Sequence, residues 1–312
     1  HSAFRRQRQM CIRDRYFFPA VTGGVLTDAG LRGLIGGPVS DAALPSHDDA
    51  ESALSELDHL LSQNNENDLV QYAIATHSVY LCSQETLLRA SDLAQRRNGR
   101  IHIHVSETRK EIADCKEKNG LYPIEYLDSI DFIQPGTIFA HASWVKKNEI
   151  QIVADRNVTA VHCPSSNMKL ACGGTLSFPP YRDAGADVRI GTDGAASSGN
   201  GLNMLHEARL ASLLQRHDHW DSTLFPAQDV FKLATKGSKD WVAWNLDDVR
   251  MRPVGRSNNR HIANLIYNGG DCLDVWVNGQ ALRKNGATLT LDEHSIIEEL
   301  DEAVQTYYDG LE

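Results

Sequence analysis

The sequence predicts an α/β protein built as a (β/α)8 TIM barrel, on three observations. Short apolar segments that read as strands alternate with segments of helical period from Leu31 to Asp193. Five of the six strands end on ionisable side chains: His77, His104 with Glu107, His141, His162 and Asp193. No G-x-G-x-x-G or phosphate loop follows any strand, which argues against a dinucleotide-binding doubly wound sheet. In a parallel barrel the C-terminal strand ends share one face, where active sites lie, so these endings converge.

At 312 residues the chain is two average domains or one large barrel. A hydrophobic share of 41% and a charged share of 23% suit a globular chain with a sizeable core. The net charge of −10 leaves no basic stripe to release counterions, so no nucleic-acid partner is expected. No apolar run reaches the roughly 18 residues of a membrane span, so no membrane partner is expected either. Six scattered cysteines without a C-x-x-C pair read as reduced thiols of a cytoplasmic protein. The expected partner is a small-molecule substrate; assembly as a homo-oligomer is left open.

Along the chain, residues 1–15 carry five arginines without apolar period and read as a non-native segment. R-Q-R-Q-M-C-I-R-D-R resembles translated sequencing-adapter sequence, with a basic transit segment as the alternative. Leu31 to Gly36 reads as a buried strand, and Asp48 to Ser62 as a helix on Leu54, Leu57, Leu60 and Leu61. Leu69 to Ala75 is a strand ending at His77, and Ser83 caps a helix to Arg97. Arg100 to Val105 is a strand of alternating Ile101, Ile103 and Val105, with Glu107 to Lys118 and Pro123 to Ser129 as helices after it. Thr137 to Ala140 and Val158 to Val161 are strands ending at His141 and His162, separated by a helix from Lys147 to Arg156. Tyr181 to Gly185 is a short helix, and Val188 to Gly191 a strand ending at Asp193. The Gly/Ser/Asn-rich run Gly194 to Gly201 is an active-site loop. Leu202 to Arg216 and Pro226 to Trp244 are long helices. Ile262 to Tyr267, Asp274 to Val277 and Gln280 to Arg283 read as strands, the last two joined by the Asn278-Gly279 turn. An acidic helix from Asp292 to Leu311 closes the chain.

The strand-end residues are of the types a hydrolytic metal site needs: imidazole and carboxylate ligands, and a carboxylate to carry protons. Each also has a plain structural reading, since a strand-end Asp is commonly a helix cap and a lone His is most often not a ligand. His102 shares a strand face with His104 but lies about 6.6 Å away along it, and is read as a lower-layer residue. Pro164 ends the strand at His162, and Ser165, Ser166 and Asn167 present small polar groups; Cys163 shows no nucleophile environment.

Four motifs resemble the amidohydrolase superfamily, and within it the S-adenosylhomocysteine/5′-methylthioadenosine deaminases. They are His104-Val-Ser-Glu107-Thr, Ala140-His141, His162-Cys-Pro-Ser-Ser-Asn-Met-Lys-Leu170 and Gly191-Thr-Asp193-Gly-Ala-Ala-Ser. The resemblance runs from about Tyr16 to Val254, and Asn264 to Gly286 is similar to the returning β-sandwich segment. It implies a barrel of the metal-dependent hydrolase type with one Zn2+, or another divalent ion, per subunit. His104 and Asp193 would be metal ligands. Glu107 would protonate the substrate ring and shuttle protons to the leaving ammonia, Asp193 would accept the water's proton, and His141 would orient the attacking oxygen. His77, with Glu107 and Asp193, would contact substrate, although the family's usual proline before that histidine is absent. The implied reaction is hydrolytic deamination of an adenosine derivative to its inosine counterpart.

The family's first strand carries an H-x-H, which is not found upstream of His77; the earlier histidines are His1, His47 and His59. The chain is therefore expected to lack the first strand and most of the second, with residues 16–254 as barrel. Residues 255–312 are expected to form a β-sandwich remnant plus C-terminal helix. Where nucleoside deaminases carry an N-N-D-L-D-like run, this chain has S-S-G-N-G-L-N. A guanine, pyrimidine or triazine ring therefore stays open as substrate, as does an inactive fragment. Upstream coding sequence is expected to encode the H-x-H, and an intact start without it would remove the truncation reading.

Overall fold

Seven parallel strands run in sequence order through the larger sheet of this computed structural model. They are β1 (Ile12–Arg15), β2 (Gly33–Val39), β3 (Val70–Thr76), β4 (Ile101–Val105), β5 (Ile138–His141), β6 (Thr159–His162) and β7 (Asp187–Ile190). The structure describes residues 12–64, 69–195, 198, 201–236, 240–253 and 258–310. The expectations for residues 1–11 and for residues 196, 197, 199 and 200 of the loop from Gly194 to Gly201 lie outside them. Between the strands run α1 (Pro19–Asp28), α2 (Ala50–Ser62), α3 (Gln84–Arg97), α4 (Arg109–Asn119), α5 (Pro123–Ser129), α6 (Lys147–Asp155), α7 (Pro164–Lys169) and α8 (Phe178–Asp183). Each strand pairs in parallel with its successor, so all the C-terminal ends lie along one edge. These βα units form part of the expected barrel, and β1 and β7 are the sheet's edges among the described residues.

Local chemistry explains the element ends. Asp49 caps α2 by accepting the Ser52 amide at 2.8 Å, and Ser83 caps α3 through the Thr86 amide at 3.2 Å. Thr108 caps α4 through the Glu111 amide at 3.2 Å, and α4 stops at Gly120, whose φ of 71° suits a residue without a Cβ. Ile101, Ile103 and Val105 are buried in one cluster with Leu87, Ala90 and Leu93 of α3 and Ile124 and Leu127 of α5. Period-2 alternation then sends His102 and His104 to the opposite face of β4, the barrel interior.

After β7 come α9 (Met204–His219) and α10 (Ala227–Thr235), then β8 (Trp241–Trp244) and α11 (Asn258–Asn268). They are followed by β9 (Cys272–Val277), β10 (Gln280–Lys284), β11 (Ala287–Thr288) and α12 (Glu293–Asp309). A four-stranded sheet in the order β11-β10-β9-β8 packs Cys272, Val275, Val277 and Leu282 on Leu26, Ala29, Leu31, Ile35 and Val70. Arg32 ties the two sheets by an ion pair with Asp240 at 3.0 Å, and Asp240 also accepts the Asn278 amide at 3.0 Å.

The structure departs from the sequence reading in three places. Ile12–Arg15, part of the segment read as non-native and given no element, pairs with Gly33–Gly36 as an edge strand. Backbone N–H and C=O groups on a sheet edge accept a partner of any sequence, so composition was no guide. Ile262 to Tyr267, read as a strand, is helical within α11: Ile262, Leu265 and Ile266 follow an i, i+3, i+4 period and pack inward. Pro226 to Trp244, read as one helix, ends at Thr235 and resumes as β8, whose tryptophans and valine suit a strand; the intervening Gly237-Ser238 is a breaker in sequence. The boundary at 254/255 therefore does not separate the two sheets. β8 belongs to the small one, while Ile266 of α11 packs with Ile190, Ala208, Phe225 and Val230.

Ile103 is fully buried, whereas Leu300 on α12 is 53% exposed. Ile103→Ala should lower the unfolding free energy by about 2–5 kcal/mol, and Leu300→Ala should change it by about 0.5 kcal/mol or less. Urea unfolding of both variants checks this; equal costs would contradict the packing.

Candidate functional site

At the C-terminal edge of the sheet, His77 follows β3, His104 lies on β4 with Glu107 just beyond, His141 ends β5 and Asp193 follows β7. The His77 and His104 ring centroids are 5.2 Å apart, and those of His104 and His141 are 5.3 Å apart. His141 Nε2 lies 3.7 Å from Glu107 Oε1 and 3.9 Å from Asp193 Oδ2. All five residues proposed from the sequence thus fall in one cluster. Several neighbours turn there in the left-handed region: Ser106 at φ 53°, His141 at 70°, Ala142 at 44° and Asp193 at 58°. Such angles cost energy for residues with a Cβ and are held by surrounding bonds. The Ala142 carbonyl accepts from Tyr181 Oη at 3.1 Å, and the Ser106 carbonyl accepts from the Ser143 and Trp144 amides at 3.1 and 2.9 Å.

Hydrogen bonds orient each side chain. His104 Nδ1–H donates to the His77 carbonyl at 3.1 Å, which places the ring lone pair on Nε2, the tautomer a ligand needs. His141 Nδ1–H donates to Asn167 Oδ1 at 3.2 Å, and Asn167 Nδ2–H donates onward to Ser143 Oγ at 2.8 Å. Asp193 Oδ2 accepts from Ser166 Oγ at 2.6 Å and Oδ1 from the Gly194 amide at 2.7 Å. Cys172 Sγ–H donates to Glu107 Oε1 at 3.4 Å. Burial, then the adjacent Glu107 charge, pushes the Cys172 thiol up to about 12, so it remains protonated. Gly191 is required by closeness: a Cβ there would meet Val161 Cγ1 at 2.8 Å and Cys163 Sγ at 3.2 Å.

Sequence reading had Asn167 and Ser166 only as small polar groups; both are buried in α7 and orient His141 and Asp193. It missed Glu111, whose carboxylate accepts the Ser106 and Glu107 amides at 2.7 and 2.8 Å. Burial raises the Glu111 carboxyl to about 7, with the Glu107 charge adding to it against its backbone hydrogen bonds. The T-x-x-E pattern of Thr108 to Glu111 is a capping-box signal that could have drawn attention to it. It also missed Cys172, for which no local signal exists.

The donors are right in kind for a divalent cation, an imidazole nitrogen and a carboxylate oxygen. In number they fall short. Among the described residues no group of three or more His, Cys, Asp or Glu side chains is placed to hold a metal ion, whereas a catalytic zinc takes three protein ligands.

His162 is buried, and neither ring nitrogen has a hydrogen-bond partner among the described residues. Burial, reinforced by His141, lowers its pKa to about 3 from an ordinary 6.5. The unfolded chain then binds a proton below 6.5 that the folded chain refuses, so stability present above 6.5 is lost as pH falls towards 3. The slope is about 1.4 kcal/mol per pH unit. Glu111 slopes the opposite way between 4.5 and 7, but a His162→Leu variant retains it. Urea unfolding from pH 7 to pH 4 should show the parent losing more stability than His162→Leu (about 1.4 kcal/mol per unit below the imidazole's ordinary pKa); parallel curves would refute a neutral buried imidazole.

Comparison with known proteins places this geometry among relatives. The amidohydrolase family model matches residues 25–242. The 5′-deoxyadenosine deaminase of Methanosphaera stadtmanae is 34% identical, over 94% of this chain and 72% of its own length. The 5-methylthioadenosine/S-adenosylhomocysteine deaminase 1 of Archaeoglobus fulgidus is 33% identical, over 94% of this chain and 72% of its own. Among solved structures, an adenosine deaminase from Xanthomonas campestris with bound zinc superposes with a TM-score of 0.87 at 26% identity, covering 94% of this chain and 70% of that one. A guanine deaminase from C. acetobutylicum shares the fold with a TM-score of 0.78 at 21% identity, covering 89% of this chain and 74% of that one.

Proposed function

The chain belongs to the amidohydrolase family, and from that premise we propose that it catalyses hydrolytic deamination of an adenosine derivative. The substrate class is a 5′-modified adenosine such as 5′-deoxyadenosine, 5′-methylthioadenosine or S-adenosylhomocysteine, after the names of its relatives. Water replaces the 6-amino group, giving the inosine counterpart and ammonia. The observation that carries this reading is the approach of Glu107 and Asp193 to His141 Nε2, at 3.7 and 3.9 Å. Those separations exceed a direct hydrogen bond, and in this reading a water molecule bridges the groups.

In this reading Asp193 takes a proton from the attacking water, with Ser166 and Gly194 holding its carboxylate in place. His141, its Nδ1 engaged by Asn167, turns Nε2 to the water and orients it. Glu107 protonates the ring nitrogen beside the attacked carbon; its carboxylate then takes the proton of the newly added hydroxyl and passes it to the departing amine as the C–N bond breaks, and the proton held by Asp193 restores Glu107. His77, edge-on to His104 and to Tyr80 at 5.8 Å, flanks the substrate. A divalent ion, zinc by analogy with the Xanthomonas campestris enzyme, would be held by His104 Nε2 and Asp193. Such an ion supplies Lewis acidity and lowers the pKa of water.

Ammonia release from the three nucleosides, with guanine as a control, tests the substrate class. Glu107→Gln should reduce turnover by about 100-fold or more, and unchanged turnover would overturn its role. Zinc retained after dialysis should fall in His104→Ala and persist in His102→Ala; the reverse would overturn the ligand assignment.

The shortage of ligands among the described residues favours a second reading, in which the chain binds a nucleoside without converting it. Calorimetric binding of 5′-methylthioadenosine with no ammonia released would support that reading over the first.

A further inference from the structure

We propose that Glu111 is a positioning residue for Glu107: its buried carboxylate grips the Ser106 and Glu107 amides and so sets the peptide from which the proton-carrying side chain projects. The assignment of Glu107's role rests on the function proposed above; the grip itself does not. Glu111 Oε1 accepts from the Ser106 amide at 2.7 Å and Oε2 from the Glu107 amide at 2.8 Å. Each oxygen therefore holds one N–H, a fork that fixes the peptide plane as well as its distance. Glu111 is 4% exposed, so little water can replace these bonds.

Other helices of the same chain show that this is not ordinary capping. Glu125 in α5 and Glu149 in α6 occupy the same third helical position and accept the amides of their own cap residues, Tyr122 and Lys146, each at 3.0 Å. The bonds from Glu111 run to the two residues before its cap, Thr108, and one of those is Glu107 itself. Ser106 is also at φ 53°, a conformation that needs support from outside the residue. The Ser106 carbonyl is held by the Ser143 and Trp144 amides and its N–H by Glu111, so the peptides on both sides of the strained residue are tied. Glu107 leaves that anchored turn toward His141 and Cys172.

Glu111→Gln keeps the side chain's size but offers only one accepting atom, so one amide must lose its bond. Glu149→Gln is the structural control, because Glu149 binds the Ile124 and Lys146 amides away from the site. Hydrogen exchange should accelerate at the Ser106 and Glu107 amides in Glu111→Gln and stay unchanged there in Glu149→Gln. In nucleoside deamination, Glu111→Gln should lower kcat by up to about 100-fold, the cost of displacing a reacting group by about 1 Å. KM should stay within about 3-fold, because the change misplaces a reacting group more than it weakens substrate binding. Glu111→Asp, one methylene shorter, should show the same exchange change and serves if the glutamine variant does not fold. Unchanged exchange at both amides, or a kcat per folded molecule equal to that of Glu149→Gln, would overturn the proposal. A Glu107→Gln variant with full turnover would instead overturn the role given to Glu107, leaving the exchange measurement to decide the grip.

Discussion

Burial of Ile101, Ile103 and Val105 against α3 and α5 commits the other face of β4 to the barrel interior, and the site is assembled on that commitment. A strand cannot present adjacent residues to the same side, so filling the helix-facing layer with branched apolar groups places His104 among the strand-end residues. Parallel pairing does the rest. It brings the C-terminal ends of β3 to β7 to one edge, so residues separated by up to the whole βα series become neighbours.

Those neighbours are held rather than merely gathered. Each clustered side chain has a partner that fixes its direction: the His77 carbonyl for His104, Asn167 for His141, Ser166 and the Gly194 amide for Asp193, Cys172 for Glu107. Left-handed backbone at Ser106, His141, Ala142 and Asp193 is concentrated where the strands turn into loops. Non-glycine residues adopt it when surrounding bonds outweigh its cost, and here those bonds come from Glu111, Tyr181 and the Ser143–Trp144 turn. Rigidity at this edge lets carboxylates and imidazoles stand near each other without collapsing into direct ion pairs.

The opposite end of the larger sheet is secured separately. The small antiparallel sheet covers Leu26, Leu31, Ile35 and Val70, and Asp240 links Arg32 to the Asn278 amide. Because β8 and α11 cross the boundary expected between the two units, loss of either sheet would expose apolar surface of the other.

Patterns local in sequence determined most of this protein. Period-2 and helical apolar spacing located β2 to β7, and the strand-end residues followed because each sits beside its own strand. A short apolar run such as Ile262 to Tyr267 misled because period alone does not separate a short strand from a helix face, and its packing on α9 and α10 decided for helix. Tertiary structure alone decided which groups orient the site. His141 meets Asn167 across 26 residues, Ser166 meets Asp193 across 27, and Cys172 meets Glu107 across 65. The physical reason is that a side chain's identity and period report the face it occupies, while its partner depends on how distant segments are brought together by packing.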